Sequence, residues 1–154
     1  HVTGVQTCAL PISTSNANAN VLTPLAIVPT IGIEMDFGDV AGDAILPTTV
    51  DLTTTGTTSS SDGASVSGTP AAGSFDVSGA NTANYSITLP GSIVIDDGGG
   101  NTMTVNTFTS SVGLSSTLDG TGNETITIGA KLTIGAAQVL GAYSGPYDVT
   151  VNYQ

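Results

Sequence analysis

The chain has 154 residues, and its one Lys+Arg against 12 Asp+Glu gives a formal net charge of −11. The single cation, Lys131, excludes a surface for nucleic-acid phosphates or anionic lipid headgroups, because both need clusters of basic residues. No apolar run approaches the roughly 20 residues of a membrane-spanning helix, so we expect no membrane insertion. Abundant Val, Ile and Thr, with few helix formers, predict a single all-β domain.

The first residues do not match the rest of the chain. Residues 2–12 read VTGVQTCALPI, which is the in-frame translation of a widely used sequencing adapter. We therefore interpret residues 1–13 as an artefactual or disordered tail. This tail contains His1 and Cys8, the only His and the only Cys of the sequence. The remaining chain has no His or Cys, and its Ser and Thr side chains are weak nucleophiles without an adjacent base, so we expect it not to be an enzyme.

From residue 17 onward the hydrophobic signal has a period of two, which is typical of half-buried antiparallel strands. The first run alternates small apolar residues with asparagines: Ala17, Ala19 and Val21. After Pro24 resets the phase, a second run places four apolar side chains on one face: Ile31, Ile33, Met35 and Phe37. Similar runs predict strands at residues 50–52, 75–77, 85–89, 93–95, 103–105, 126–128, 132–134 and 147–153.

Turn signals separate these runs, and three of them are the Asp-Gly pairs at residues 62–63, 97–98 and 119–120. Asp-Gly supplies the positive φ that tight hairpin turns need. The spacing predicts about nine strands with negligible helix. We therefore expect residues 14–154 to form one two-sheet antiparallel sandwich, immunoglobulin-like or pilin-like, with an N-terminal extension over residues 14–22.

Acidic loops are the strongest candidates for a ligand site, because calcium takes several oxygens from one or two loops. Of three acidic clusters, the loop with Asp119, Asn123 and Glu124 is the best, since its three oxygen donors lie close together in sequence. None of the clusters has the EF-hand spacing, and solvated charge is the alternative interpretation. We expect no cofactor and keep calcium as a weak candidate. Tyr143 and Tyr147 form the one aromatic pair expected to be exposed, a weak carbohydrate platform.

Several short motifs in order resemble one family. Residues 16–27 combine an alternating Ala tract with Thr-Pro-Leu-x-Ile, and Asp-Phe-Gly follows at residues 36–38. Residues 85–90 (YSITLP) and 101–105 (NTMTV) fit between this opening and residues 141–153, which give Gly-x-Tyr-x-Gly, alternating valines and a final Tyr. This order resembles the bacterial surface domain of unknown function 4402 over residues 17–153. The resemblance implies a bacterial surface domain and brings no catalytic residues.

The last dozen residues also resemble the final strand of chaperone–usher pilus subunits, which are incomplete sandwiches that take a strand from a neighbour. Since the sequence stops at Gln154, we expect nothing to cover the edge formed by Tyr147, Val149, Val151 and Tyr153. The uncharged residues 14–21 match this acceptor edge as a donor strand, with Ala17, Ala19 and Val21 as the side chains that enter it. Exchange between different surfaces of one molecule produces a head-to-tail filament.

We therefore predict a structural subunit of a bacterial extracellular filament or surface assembly. Its main partner would be a second copy of itself, with a secretion chaperone as a further partner. The alternative is a monomeric secreted adhesin or ligand-binding sandwich, in which residues 16–21 pair with their own sheet. The small alanines favour this alternative because they bury little area. Both hypotheses place the protein at the bacterial cell surface or in the medium.

Overall fold

The computed structural model describes residues 11–154, and most of the adapter-like segment, with His1 and Cys8, lies outside this range. Within residues 11–154 the chain is all-β and contains twelve strands and no helix. The strands are β1 (Ala26–Pro29), β2 (Asp39–Ala41), β3 (Thr48–Leu52), β4 (Thr58–Ser61), β5 (Ser65–Ser67), β6 (Gly73–Ser78), β7 (Asn84–Thr88), β8 (Ser92–Asp96), β9 (Thr102–Ser110), β10 (Ser115–Thr117), β11 (Asn123–Ile134) and β12 (Thr150–Tyr153). All the pairings between them are antiparallel.

Strand β11 organises the main, seven-stranded sheet. Its first half pairs with β6 and its second half with β3, while β9 pairs along the opposite edge. Ile128 marks the centre, because it faces Gly73 of β6 on one side and Ser110 of β9 on the other. Strands β1, β4 and β8 extend the sheet beyond β6, β3 and β9.

Two smaller sheets are formed by β10–β7–β12 and by β2–β5. Side chains of β7 and β12 pack with those of β6 and the first half of β11 in one apolar cluster. Side chains of β2 and β5 pack with those of β3, β9 and the second half of β11 in another. This arrangement is consistent with the predicted sandwich, with a curled main sheet covered in two places.

The sequence predicts separate strands at residues 126–128 and 132–134, but both lie in the single strand β11 (Asn123–Ile134). Every second side chain from residue 126 to residue 134 is buried: Ile126, Ile128, Ala130, Leu132 and Ile134. The period of two therefore continues through the Gly-Ala-Lys segment that separates the two predicted runs. The total still exceeds the expected nine, because five strands of three or four residues lie outside the predicted runs: β1, β2, β4, β5 and β10.

The prediction of a strand over residues 31–37 is wrong. Ile31 is 99% exposed and Ile33 is 44% exposed, so neither joins Met35 and Phe37 against the core. Gly32 has a φ of +77°, and its left-handed backbone turns the chain where a strand would have to continue. The turn signals were also only partly right: Asp62 and Gly63 both have positive φ, whereas at residues 119–122 the left-handed residue is Gly122.

Candidate strand-acceptor edge

Strand β12 pairs with β7 on one side and, among the residues that the structure describes, with no strand on the other. Gln154 donates its N–H to the carbonyl of Asn84 on β7 (3.1 Å). Ile87 of β7 lies opposite Val151 but donates its N–H away from β12, to the carbonyl of Leu114 just before β10 (2.9 Å). Because such bonds alternate along an antiparallel pair, Val151 and Tyr153 direct their backbone N–H and C=O away from β7. These are the groups to which an added strand would bind.

The side chains of this edge belong partly to the core. Tyr147, Val149 and Val151 are half-buried and pack against the cluster beneath the three-stranded sheet. Regular strand structure begins only at Thr150, so Tyr147 and Val149 precede it. The predicted acceptor segment therefore consists of a short strand and an irregular approach to it.

Tyr147 is not the exposed aromatic residue that the sequence predicts. Its ring stacks on Phe108, with ring centroids 5.7 Å apart, and meets Phe75 edge to face at 5.8 Å. Tyr143 is also half-buried, and its hydroxyl donates to the carbonyl of Val139 (2.7 Å). The carbohydrate platform proposed for this pair therefore loses its geometric basis.

The hydroxyl of Tyr153 fixes the end of β12 to the chain that leads into β1. It accepts the N–H of Ala80 (2.6 Å) and donates to the carbonyl of Thr23 (2.7 Å). The N-terminal extension, defined here as residues 14–22, thus leaves the body of the molecule beside the last residue of β12.

The predicted donor residues Ala17, Ala19 and Val21 are all exposed, and none lies in a strand. Val21 is 93% exposed. Within residues 11–154 the extension pairs with no strand, so the structure does not bring donor and acceptor residues together in one chain. Donation between copies and pairing within one copy therefore remain the two alternatives that experiment must separate.

The edge of β1 is a poorer acceptor than the edge of β12. Thr30 donates its N–H to the carbonyl of Ser74 in β6 (2.9 Å), and by alternation Pro29 faces away from that strand. Proline has no N–H to offer, and it is one of the residues that natural proteins place on edge strands to prevent further pairing. Thr150–Tyr153 contains no proline.

The weak calcium candidates Asp119, Asn123 and Glu124 lie along one shallow cavity of about 410 Å³, but the two carboxylates are engaged within the protein. Asp119 accepts the N–H groups of Thr121 (2.8 Å) and Asn123 (2.9 Å), which, led by the Asn123 amide, lower its pKa. Glu124 turns instead to the hydroxyls of Tyr85 (2.6 Å) and Ser116 (3.0 Å). No three His, Cys, Asp or Glu side chains between residues 11 and 154 are grouped to hold a metal ion.

We expect stability to decline in alkali because two tyrosines hold their protons more tightly when folded. Burial, reinforced by Glu124, raises the pKa of Tyr85, and burial, followed by the charge of Glu34, raises the pKa of Tyr147 to about 12. Unfolded tyrosine titrates at about pH 10, so the contribution of these two groups to the free energy of unfolding is constant below that pH and is lost as the pH rises above it. Urea unfolding at increasing pH measures the decline.

The Tyr85→Phe variant is the control for this prediction. It should lose about 1–2 kcal/mol at neutral pH, because it removes a hydrogen bond to a carboxylate, and should show a shallower alkaline decline. Native protein whose tyrosine absorbance shows all four residues ionising together near pH 10 would contradict the prediction.

A comparison with protein families confirms the family resemblance that the order of motifs predicts. The family model described as Domain of unknown function (DUF4402) matches residues 28–153, well over half of the chain. The chain belongs to this family. The match runs from within β1 to the last residue of β12, so the acceptor edge lies inside the DUF4402 domain. No curated protein and no solved structure matches the chain.

In the described part of this DUF4402 protein, no helix is long and apolar enough to cross a membrane.

Proposed function

We propose that this DUF4402 protein is a non-enzymatic structural subunit of a bacterial extracellular filament or surface assembly. Its copies join head to tail when the N-terminal extension of one copy adds to the β12 edge of the next. The observation that carries the proposal is the unpaired main-chain edge at Val151 and Tyr153, which β1 approaches without pairing to it, together with an exposed, unpaired extension. We also propose that the protein is secreted with the help of a chaperone, because its last residues resemble those of chaperone–usher pilus subunits.

The distribution of charge supports self-association through this segment. All 12 carboxylates occur from Glu34 onward, so the extension carries none of the charge that makes copies of this chain repel one another. A donor strand with carboxylates would meet an acceptor of net charge −11 and lose affinity, especially at low salt. The uncharged extension avoids this cost.

The expected association is weak and depends on concentration. Main-chain hydrogen bonds each contribute about 1 kcal/mol net, and alanine side chains add little buried area. The loss of translational and rotational freedom on association offsets much of this gain. We therefore expect monomers in dilute solution and growing chains of subunits as the protein is concentrated.

The test compares two single-charge variants of the full chain by sedimentation velocity over a wide range of concentration. Ala19→Asp places a carboxylate on the face of the extension that enters the sheet edge, whereas Asn18→Asp places the same charge on the opposite face. We expect the parent chain and Asn18→Asp to gain mass with concentration and Ala19→Asp to stay monomeric. Electron microscopy of the concentrated parent should show filaments.

A strictly monomeric mass for the parent chain at the highest concentration would overturn the proposal. Equal loss of association in both variants would also count against it, since only one face of a donor strand meets the acceptor. The monomeric adhesin or ligand-binding module would then be the better interpretation, with the extension paired to its own β12.

A further inference from the structure

We call the two ends of the molecule, which lie at the two ends of β11, the exit pole and the far pole. At the exit pole, the Tyr153 hydroxyl holds Thr23, and β11 begins at Asn123, paired with Ser78. At the far pole, β11 ends at Ile134, which lies against Gly42. A strand of 12 residues spans about 36 Å, so the extension leaves the body far from the loops around residue 42.

The far pole carries an apolar cavity of about 310 Å³ between the chain segments 40–44 and 137–143. The N–H of Ala137 donates to the carbonyl of Asp43 (3.2 Å) and joins the two segments. Beside the cavity Leu140 is 96% exposed and Ile45 is 82% exposed, and Leu46 and Val139 are also exposed. Exposed apolar groups clustered in this way mark interaction sites.

We infer that this far-pole cavity receives Val21 and Leu22 of the next copy, while the preceding residues of the same extension lie along the β12 edge. This inference rests on the proposed strand donation and adds the contact that anchors it. Val21 and Leu22 are 93% and 49% exposed at the exit pole. They match the cavity in polarity, because both side chains are apolar and so are most of the residues that line the cavity.

Head-to-tail geometry places these two residues at the cavity. The extension leaves its own body at the exit pole, so in a filament that pole faces the far pole of the acceptor. Leu22 then lies at the acceptor's far pole, and the residues before it run toward the acceptor's exit pole. Nine extended residues span about 30 Å, enough to follow most of the length of β11.

The same geometry fixes the polarity of the donated strand. β12 runs toward the exit pole, where Tyr153 lies, so a strand from the next copy is antiparallel to β12. If the extension instead paired with its own β12, Thr23 would lie beside Tyr153 and the strand would be parallel. Donation and self-pairing therefore differ in direction, and cysteine placement can distinguish them.

The first experiment is disulfide formation in full chains that carry Cys8→Ser to remove the one cysteine of the sequence. The double variant with Val21→Cys and Leu140→Cys should form a ladder of covalent oligomers on mild oxidation. The matched control is the double variant with Val21→Cys and Ile31→Cys. Ile31 is 99% exposed but lies away from the far pole, so this variant should form few covalent oligomers. A disulfide within single monomers, or equal ladders from both variants, would overturn the inference.

The second experiment separates the anchor from strand donation itself. Leu140→Asp changes an almost fully exposed side chain, so the fold should be unaffected, and we expect association about ten-fold weaker or more. Ile31→Asp adds the same charge at a similarly exposed site and should change association little. If Ala19→Asp abolishes association while Leu140→Asp leaves it unchanged, the far-pole contact is wrong and strand donation stands. If the parent chain never associates, both fail.

Discussion

Replacing Ile126 by alanine is expected to lower the free energy of unfolding by about 3–4 kcal/mol. Ile126 is fully buried, faces Phe75 of β6 across the ladder, and packs in the cluster that joins the main sheet to the three-stranded sheet. Truncation removes apolar contacts and leaves a cavity that rigid strands on both sides cannot close. Urea unfolding followed by far-ultraviolet circular dichroism measures the loss.

Ile31→Ala is the matched control, because it makes the same chemical change at a side chain that is 99% exposed. Its effect is expected to stay within about 0.5 kcal/mol. The pair also tests the difference between sequence and structure at residues 31–37, since a strand there would bury Ile31 as it buries Ile126. Comparable losses in the two variants would show that Ile31 is packed and that this part of the fold is wrong.

Replacing Gly129 by alanine is expected to destabilise the fold by about 2–3 kcal/mol, although it adds only one methyl group. A Cβ at this position would meet the carbonyl oxygen of Leu52, and it would lie 2.7 Å from the carbonyl carbon of Thr53 and 2.9 Å from the nitrogen of Thr54. All three are backbone atoms at the end of β3, so no side-chain rotation relieves the clash. A glycine in a strand commonly marks such a close backbone approach.

Gly91→Ala controls for the general effect of exchanging glycine for alanine. A Cβ there meets no atom within 4 Å, and the backbone φ is not positive. Its free energy of unfolding should change by no more than about 0.5 kcal/mol, or rise slightly because alanine restricts the unfolded chain. Thermal unfolding of both variants gives the comparison, and a Gly129→Ala protein as stable as its parent would contradict the tight approach of β3.

Sequence periodicity predicts strands well where one face is buried along the whole run. The runs at residues 75–77, 85–89 and 103–105 lie in or overlap β6, β7 and β9 for this reason. The same signal fails at residues 31–37, where the left-handed Gly32 changes the direction of a chain with the correct alternation. It also misses the five short strands β1, β2, β4, β5 and β10, whose few residues pair because neighbouring strands place them together.

The candidate site shows a similar division between local and tertiary information. The alternation at residues 147–153 marks a half-buried segment, and Val151 and Tyr153 do lie in a strand. The pairing of this strand with β7, and the contact of Tyr153 with Thr23, join residues far apart in sequence and carry no local pattern. The far-pole cavity is invisible to periodicity because its exposed residues, Ile45 and Leu140, lie in loops.

The central position of β11 bears on how the protein folds. Its ladder partners β3, β6 and β9 all precede it in the chain, so the main sheet lacks its organising strand until residue 134 is free. Pairings that span so much chain must pay the entropy of loop closure before they gain stability, and all-β folds of this kind form in about milliseconds to seconds. Because β12 follows β11 in the chain, the unpaired edge that β12 presents forms after the main sheet can already exist.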